Sequence, residues 1–391
     1  MARRAVSDEA EFPPSVPPAV RRHRARQRGR NFLPVINWDT RALRAKAPKS
    51  LPQPPAEKWK DQAPLPEADV VVLTWTSDEW NALDHVFFGH EPLPKDKSGK
   101  TMRLSDWRTR WLPYRRNFYR VQSDLWLQRQ IAMSDASAAT RPGAPSLDPD
   151  VLAWGRFRLA QVGNTTVVLL KSELHLNQDG QTLPLRLLVR QIVADARPGL
   201  ILSTGTAGAV RDEDGLGDVL VSNAAKFQLD DEFGSAEFNG ETYSGSAWTP
   251  SDRFVKRAER LLLPVDELPL EPATVHFPYG ISIVPKVHTP RIKIVDSPVL
   301  TTDSFEFGTT KNRLGRTACC VEMDDAVIAM ECDVAGPAYG FVRNASDPVI
   351  SAKVPERLQS VWANVTYHKR GLYTSYNSAV ATWAMIAGYE H

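Results

Sequence analysis

Two short apolar runs with no polar face constrain this chain more than anything else in it. Val70-Val71-Val72-Leu73 and Leu200-Ile201-Leu202 are too short for helices and too continuous for strands that wet one face. Such runs are buried on both sides, which a sheet achieves with helices packed over each face. The residues between them have helical spacing. Trp80, Leu83 and Phe87 recur after Ser77, which is expected to cap that helix, with Asp78 and Glu79 suited to its first turn. Residues 183–196 form a second amphipathic helix, which Arg197-Pro198 stops. Strands are expected at residues 156–162 and 165–170, joined at Gly163-Asn164, and again at 219–222, 281–284, 292–295, 318–321 and 339–342. Further helices are expected at 253–263, 325–332 and 376–389. This alternation defines an α/β protein with a substantial central sheet.

Two segments depart from that pattern. Residues 1–66 are rich in Pro and Arg, and Pro13-Pro14, Pro17-Pro18 and Pro54-Pro55 forbid regular helix or sheet there. The segment reads as an extended or disordered arm with a basic cluster at residues 21–30, and Phe32 to Trp38 is apolar enough to dock. Residues 91–150 read as an insertion in which Trp107, Trp111, Tyr114, Phe118, Tyr119 and Trp126 interleave with seven arginines. Such interleaving either contacts phosphates or packs its rings and leaves the guanidinium groups wet. The net charge of +2 implies no strong global partner, and nucleic acid is not expected as one. No run approaches the ~18 apolar residues of a membrane span, and the charged N-terminus lacks the apolar core of a secretory signal. Cys319, Cys320 and Cys332 suit buried thiols in a reducing cytoplasm, the expected location. His175, His276, His288 and His368 are scattered, so no metal is implied, and no cofactor.

Chemistry is most concentrated between residues 318 and 347. Glu322, Asp324 and Asp325 lie between an apolar run and a helix-forming one, and a second apolar run ends in Arg343 and Asp347. Carboxylates at the ends of buried strands are costly unless they meet a ligand, an arginine or a metal. Either they serve a site, or they cap a helix and pair with Arg343. Glu79 follows the first strand, at the edge where ligands bind in open α/β sheets, or simply complements a helix dipole. Residues 199–209 read as a buried strand running into a turn of Gly and small residues, which lets backbone N–H groups approach an anion or a ribose.

Five segments, in order, resemble the nucleoside phosphorylase and nucleosidase superfamily, and most of all its methylthioadenosine/S-adenosylhomocysteine nucleosidases. Ser203-Thr204-Gly205-Thr206-Ala207-Gly208-Ala209 with Gly217-Asp218-Val219-Leu220-Val221-Ser222, Asp303-Ser304-Phe305-Glu306-Phe307-Gly308-Thr309, Val321-Glu322-Met323-Asp324 and Val342-Arg343-Asn344-Ala345-Ser346-Asp347 carry it, with Glu79 as the acid after the first strand. The resemblance spans about residues 68–90 and 155–391. It implies one three-layer domain over residues 67–391, with a central mixed sheet flanked by helices. It also implies cleavage of a purine N-ribosidic bond, the base being adenine, by a homo-oligomer. On this resemblance Asp347 protonates or hydrogen-bonds N7 of the leaving base and Ser346 orients it. Glu322 or Asp324 bridges the ribose hydroxyls, and Met323 packs on the sugar. Phe305 stacks on the purine and the backbone at Glu306 reads its edge. Thr206 and Gly208 belong to the nucleophile site, and Arg343 anchors it. Glu79 favours hydrolysis, because water needs a base whereas phosphate would be repelled by an acid. The alternatives are a phosphate-dependent phosphorylase and a non-catalytic nucleoside or nucleotide sensor. Asp324 is one methylene shorter than the family's Glu, and residues 171–176 depart from the family's K-S-G-I-G-K. The insertion suggests a substrate with phosphates, such as an adenine nucleotide, read by its arginines.

Overall fold

The computed structural model describes residues 33–54, 63–91, 108, 110–115, 153–174, 176, 184–211, 213–231, 233–245, 248–264, 275–276, 282–283, 289–303, 313–348 and 356–389. Their strands are β1 (Pro48–Ser50), β2 (Val70–Thr74), β3 (Leu112–Tyr114), β4 (Gly155–Val162), β5 (Thr165–Ser172), β6 (Leu200–Ala209), β7 (Val219–Ser222) and β8 (Ala224–Phe227). They continue with β9 (Thr242–Ser244), β10 (Val275–His276), β11 (Ser282–Ile283), β12 (Ile292–Ile294), β13 (Val299–Thr301), β14 (Cys320–Glu322) and β15 (Ala338–Pro348). The α-helices are α1 (Ser77–Phe88), α2 (Pro184–Ala196), α3 (Asp252–Glu259), α4 (Asp325–Ala335) and α5 (Glu356–Ala387).

By its contacts the chain separates into two units, one of residues 1–34, 54–64 and 91–158, the other of residues 35–53, 65–90 and 159–391. In the first, β3 pairs antiparallel with the start of β4 (Leu112↔Phe157, Tyr114↔Gly155), over buried Trp111, Tyr114 and Trp154. The second holds the central sheet, whose order is β1-β4-β5-β2-β6-β14-β13-β8-β9, with β15 on β6 and β7, and β12 on β7. Its heart is parallel. β2 pairs with β5 and β6, and β15 follows β6 from Ala338↔Leu200 to Pro348↔Ala209. β14 closes antiparallel onto the end of β6, at Val321↔Gly208. Val70 to Leu73 are fully buried, each worth roughly 1.5–3 kcal/mol of burial.

Alternate residues of β6 point to opposite faces and find different layers. The Thr204 hydroxyl meets that of Thr382 on α5 at 2.7 Å, whereas the Ser203 hydroxyl bonds Asp325 on α4 at 2.5 Å. Helices α1 and α3 pack on α5, and α2 packs on α4, so the sheet lies between two helical layers. This is the mixed α/β class read from the sequence. Within the same unit Trp38 docks, its ring 4.9 Å from that of Trp383.

Several expectations need correcting. Thr76, not Ser77, caps α1, because its hydroxyl accepts the Glu79 N–H at 3.3 Å while the Glu79 side chain returns to the Thr76 N–H. Residues 204–208 are strand rather than turn. Gly205 and Gly208 have ordinary φ, and full-length pairing with β15 keeps the backbone extended. For the same reason β15 runs on to Pro348 instead of stopping at residue 342. Helix α5 begins at Glu356, since its polar first half hides the apolar period that marks the rest. The hairpin at Gly163 (φ +64°) and the helix over residues 184–196 are as expected. The basic cluster at 21–30 and most of the 91–150 insertion lie outside the described residues.

Candidate functional site

The C-terminal ends of the parallel strands β2, β6 and β15 converge on Glu79, Arg343 and Asp347. Glu79 is buried and accepts five donors. Its Oε1 takes the Thr206 N–H at 2.7 Å and hydroxyl at 2.8 Å, and its Oε2 takes the Thr74 hydroxyl and the Trp75 and Thr76 N–H groups at 2.8–3.0 Å. Burial works to raise its pKa, but Arg343 and the Thr206 and Thr76 N–H groups outweigh it, and the carboxyl sits below its usual range. The approach is possible because residue 205 is Gly. A Cβ there would lie 2.6 Å from Glu79 Oε1 and 2.8 Å from Arg343 Nη1. The N–H group read from sequence as facing an anion therefore faces this chain's own carboxylate.

Arg343 is buried and holds the centre. Its Nε donates to Asp325 Oδ2 at 2.8 Å and its Nη2 to Asp325 Oδ1, a bidentate pair. Nη2 also reaches Ser203 Oγ at 2.6 Å and Glu322 Oε2 at 3.0 Å. The guanidinium lies 5.3 Å from the Trp75 ring centroid. Burial opposes its charge, but Asp325 and Glu322 overcome that and raise its pKa. Glu322 accepts two donors on each oxygen: the Thr301 hydroxyl at 2.5 Å and Asp325 N–H at 3.0 Å on one, the Asp324 N–H at 2.7 Å and Arg343 on the other. Burial and the neighbouring Asp325 carboxylate push Glu322 up to about 8. Asp325 is also raised, by burial against the pull of Arg343.

Asp347 has a different environment. It lies just past a bulge in β15, where the register with β6 shifts between Ala345 and Asp347 and sets Asp347 opposite Gly208. Ser346, the extra residue, donates its hydroxyl to Asp347 Oδ1 and lies 3.3 Å from the Ala207 carbonyl. Burial pushes the Asp347 carboxyl up to about 7, with Ser346 pulling the other way. A carboxylic acid that holds its proton near neutrality can donate it.

The structure thus brings together Glu79, Thr206, Glu322 and Arg343 in direct contact, and pairs Ser346 with Asp347 opposite Gly208. Asp324 stands at the start of α4, where its Oδ1 accepts the Leu176 N–H at 3.0 Å, and Met323 beside it is partly exposed. The departing segment after β5 is thereby tied to the carboxylate cluster, and Trp75 Nε1 holds it again through the Leu174 carbonyl at 2.9 Å. Phe305 and Glu306 lie outside the described residues. Sequence reasoning assigned no role to Ser203, Thr301 or Trp75, and offered pairing with Arg343 as one reading of the carboxylates that include Asp325, a pairing the structure shows. Ser203, the second partner of Asp325, lies 122 residues away and left no local signal.

Among solved structures, the chain is similar to the 5′-methylthioadenosine/S-adenosylhomocysteine nucleosidase of Helicobacter pylori, at 12% identity and TM-score 0.44 over 82% of this chain and 98% of that one. It is similar to the S-adenosylhomocysteine nucleosidase of Streptococcus pyogenes, at 14% and 0.45 over 84% and 99%. It is also similar to the futalosine hydrolase of Helicobacter pylori, at 11% and 0.42 over 80% and 97%. No curated protein sequence matches it. The model of the phosphorylase superfamily matches residues 136–365, more than half of the sequence, and the chain belongs to that superfamily.

Proposed function

We propose that this protein hydrolyses the N-glycosidic bond of a purine nucleoside or nucleotide, adenine in our reading, and releases the free base. The observation that carries the proposal is Asp347, a carboxyl held near 7 by burial, with a neighbouring hydroxyl to aim it. As the C1′–N9 bond breaks, its electron pair passes to the base and Asp347 delivers a proton to N7. The sugar becomes oxocarbenium-like, and a water oxygen bonds to C1′. Glu79, anionic because its pKa is lowered, exchanges the Thr206 hydroxyl for that water and takes its proton as the bond forms. A weak base suffices here, because water attacking a cation becomes strongly acidic. The negative carboxylate also stabilises the positive sugar. Met323 and Asp324 would meet the ribose, with Glu322 behind them bracing Arg343. Phe305 and Glu306 would meet the base.

Chromatography of free base from adenosine, methylthioadenosine, AMP and ATP, with and without inorganic phosphate, tests this. Release without phosphate, lost in Asp347→Asn, is the expected result. Strict phosphate dependence would make the protein a phosphorylase. A second reading, a sensor that binds a nucleoside without turning it over, is favoured by the full set of donors this chain supplies to Glu79. Absence of release from every substrate would select it.

A further inference from the structure

We infer that Asp325 decides which nucleophile the site accepts: by filling the two-pronged edge of Arg343 it closes the site to inorganic phosphate and leaves it to water. The inference deepens the hydrolytic reading above and rests on it.

A planar guanidinium binds phosphate best through two parallel N–H groups on one edge. In this chain the Nε and Nη2 edge of Arg343 is taken by the two oxygens of Asp325. Nη2 is further shared with Ser203 Oγ and Glu322 Oε2. Ser203 also donates to Asp325 at 2.5 Å, which locks the carboxylate in the orientation the fork requires. Position adds to this. Asp325 opens α4 and is fully buried, so it cannot swing into solvent to make room for an incoming anion. Charge adds more, since the Glu79 carboxylate already faces the guanidinium that Asp325 holds. Another anion would have to displace one of them or enter against them. Lys171, at the end of β5, is likewise paired, to Glu173 at 2.5 Å. Water is neutral and meets neither obstacle.

With Asp325 shortened, the freed Nε and Nη2 would face a phosphate. A phosphate oxygen could then bond to C1′ as the C1′–N9 electron pair leaves with the base and Asp347 supplies the proton, giving a pentose 1-phosphate. A phosphate titration of the full chain, followed by thermal shift and by 31P NMR, tests this for wild type, Asp325→Ala and Asp325→Asn. Expected is no saturable response in wild type up to tens of millimolar. Asp325→Ala should gain saturable binding at least ten-fold tighter than any wild-type response. Asp325→Asn, which keeps the shape and removes the charge, should gain less in the same direction. A change that merely damaged the fold would not create a phosphate site. Saturable wild-type binding would overturn the inference. So would phosphate-blind variants that still melt cooperatively; if the alanine variant does not fold, the asparagine variant decides alone. The titration requires no turnover, so a failed base-release assay would sink the hydrolytic reading without touching this result.

Discussion

Single residues divide into those whose charge the protein has settled, such as Glu79 and Arg343, and those left poised near neutrality. Asp347 is the poised one that no guanidinium holds. Its folded pKa is raised, from an ordinary 3.8 to about 7, so the folded state keeps a proton that the unfolded chain has lost. Stability from this group is full below about pH 4 and is lost as pH rises towards 7, at up to ~1.4 kcal/mol per pH unit. Asp347→Asn should flatten that slope in denaturant titrations across pH 4–7. In turnover, base release should fall as pH passes 7 and the acid ionises. Asp347→Asn should cost about 10²–10⁴-fold in kcat; a variant with wild-type kcat would remove Asp347 from the reaction. Gly205 is the complementary case, a position where any side chain is wrong. Gly205→Ala would set a methyl group against Glu79 and Arg343. The expected loss is about 1–3 kcal/mol of stability, together with activity, read by calorimetry and base release on the same sample.

At the level of elements, α1 and the site share one carboxylate. Thr76→Ala should cost about 1 kcal/mol through the lost cap and lower the melting temperature by a few degrees, whereas Thr76→Ser should not. Equal melting of all three proteins would argue that the capping box contributes nothing. This double use also explains what could be foreseen. The strand at 70–74, the hairpin turning at Gly163 and the helix at 184–196 declare themselves locally, because burial imposes its period on their own residues. The stretch 204–208 does not. Its small residues favour a turn in isolation, and only pairing with β15 over its full length, a contact between residues ~140 apart, makes it strand. The site followed the same division. Glu79, Glu322 and Asp347 were conspicuous as acids with no local reason to be buried. Which donors each would meet depended on Thr206, Thr301 and Ser346, and which would hold a proton depended on burial, both of which fold rather than sequence creates.

The molecule as a whole is built outward from β2, β6 and β15, with α5 crossing one face. That helix ties distant parts together. Asn377 bonds the Gly217 and Leu263 carbonyls, and Trp383 Nε1 reaches the Lys46 carbonyl at 2.8 Å. Hydrogen exchange should therefore be slowest in the middle of β2, β6 and β15, and fast in β9, whose residues are largely exposed at the sheet margin. Faster exchange in β6 than in β9 would contradict this account of where the stability lies. The capping box has a last consequence, for ancestry. Since Glu79 closes a helix and gathers five donors, a descendant that had ceased to turn over substrate would still be under pressure to keep it. Its presence in a relative is then a marker of descent, not of a working enzyme. Asp347 is held in the described structure by one neighbouring hydroxyl and is free to drift once the reaction is abandoned, so it is the position at which a lapsed lineage would first betray itself.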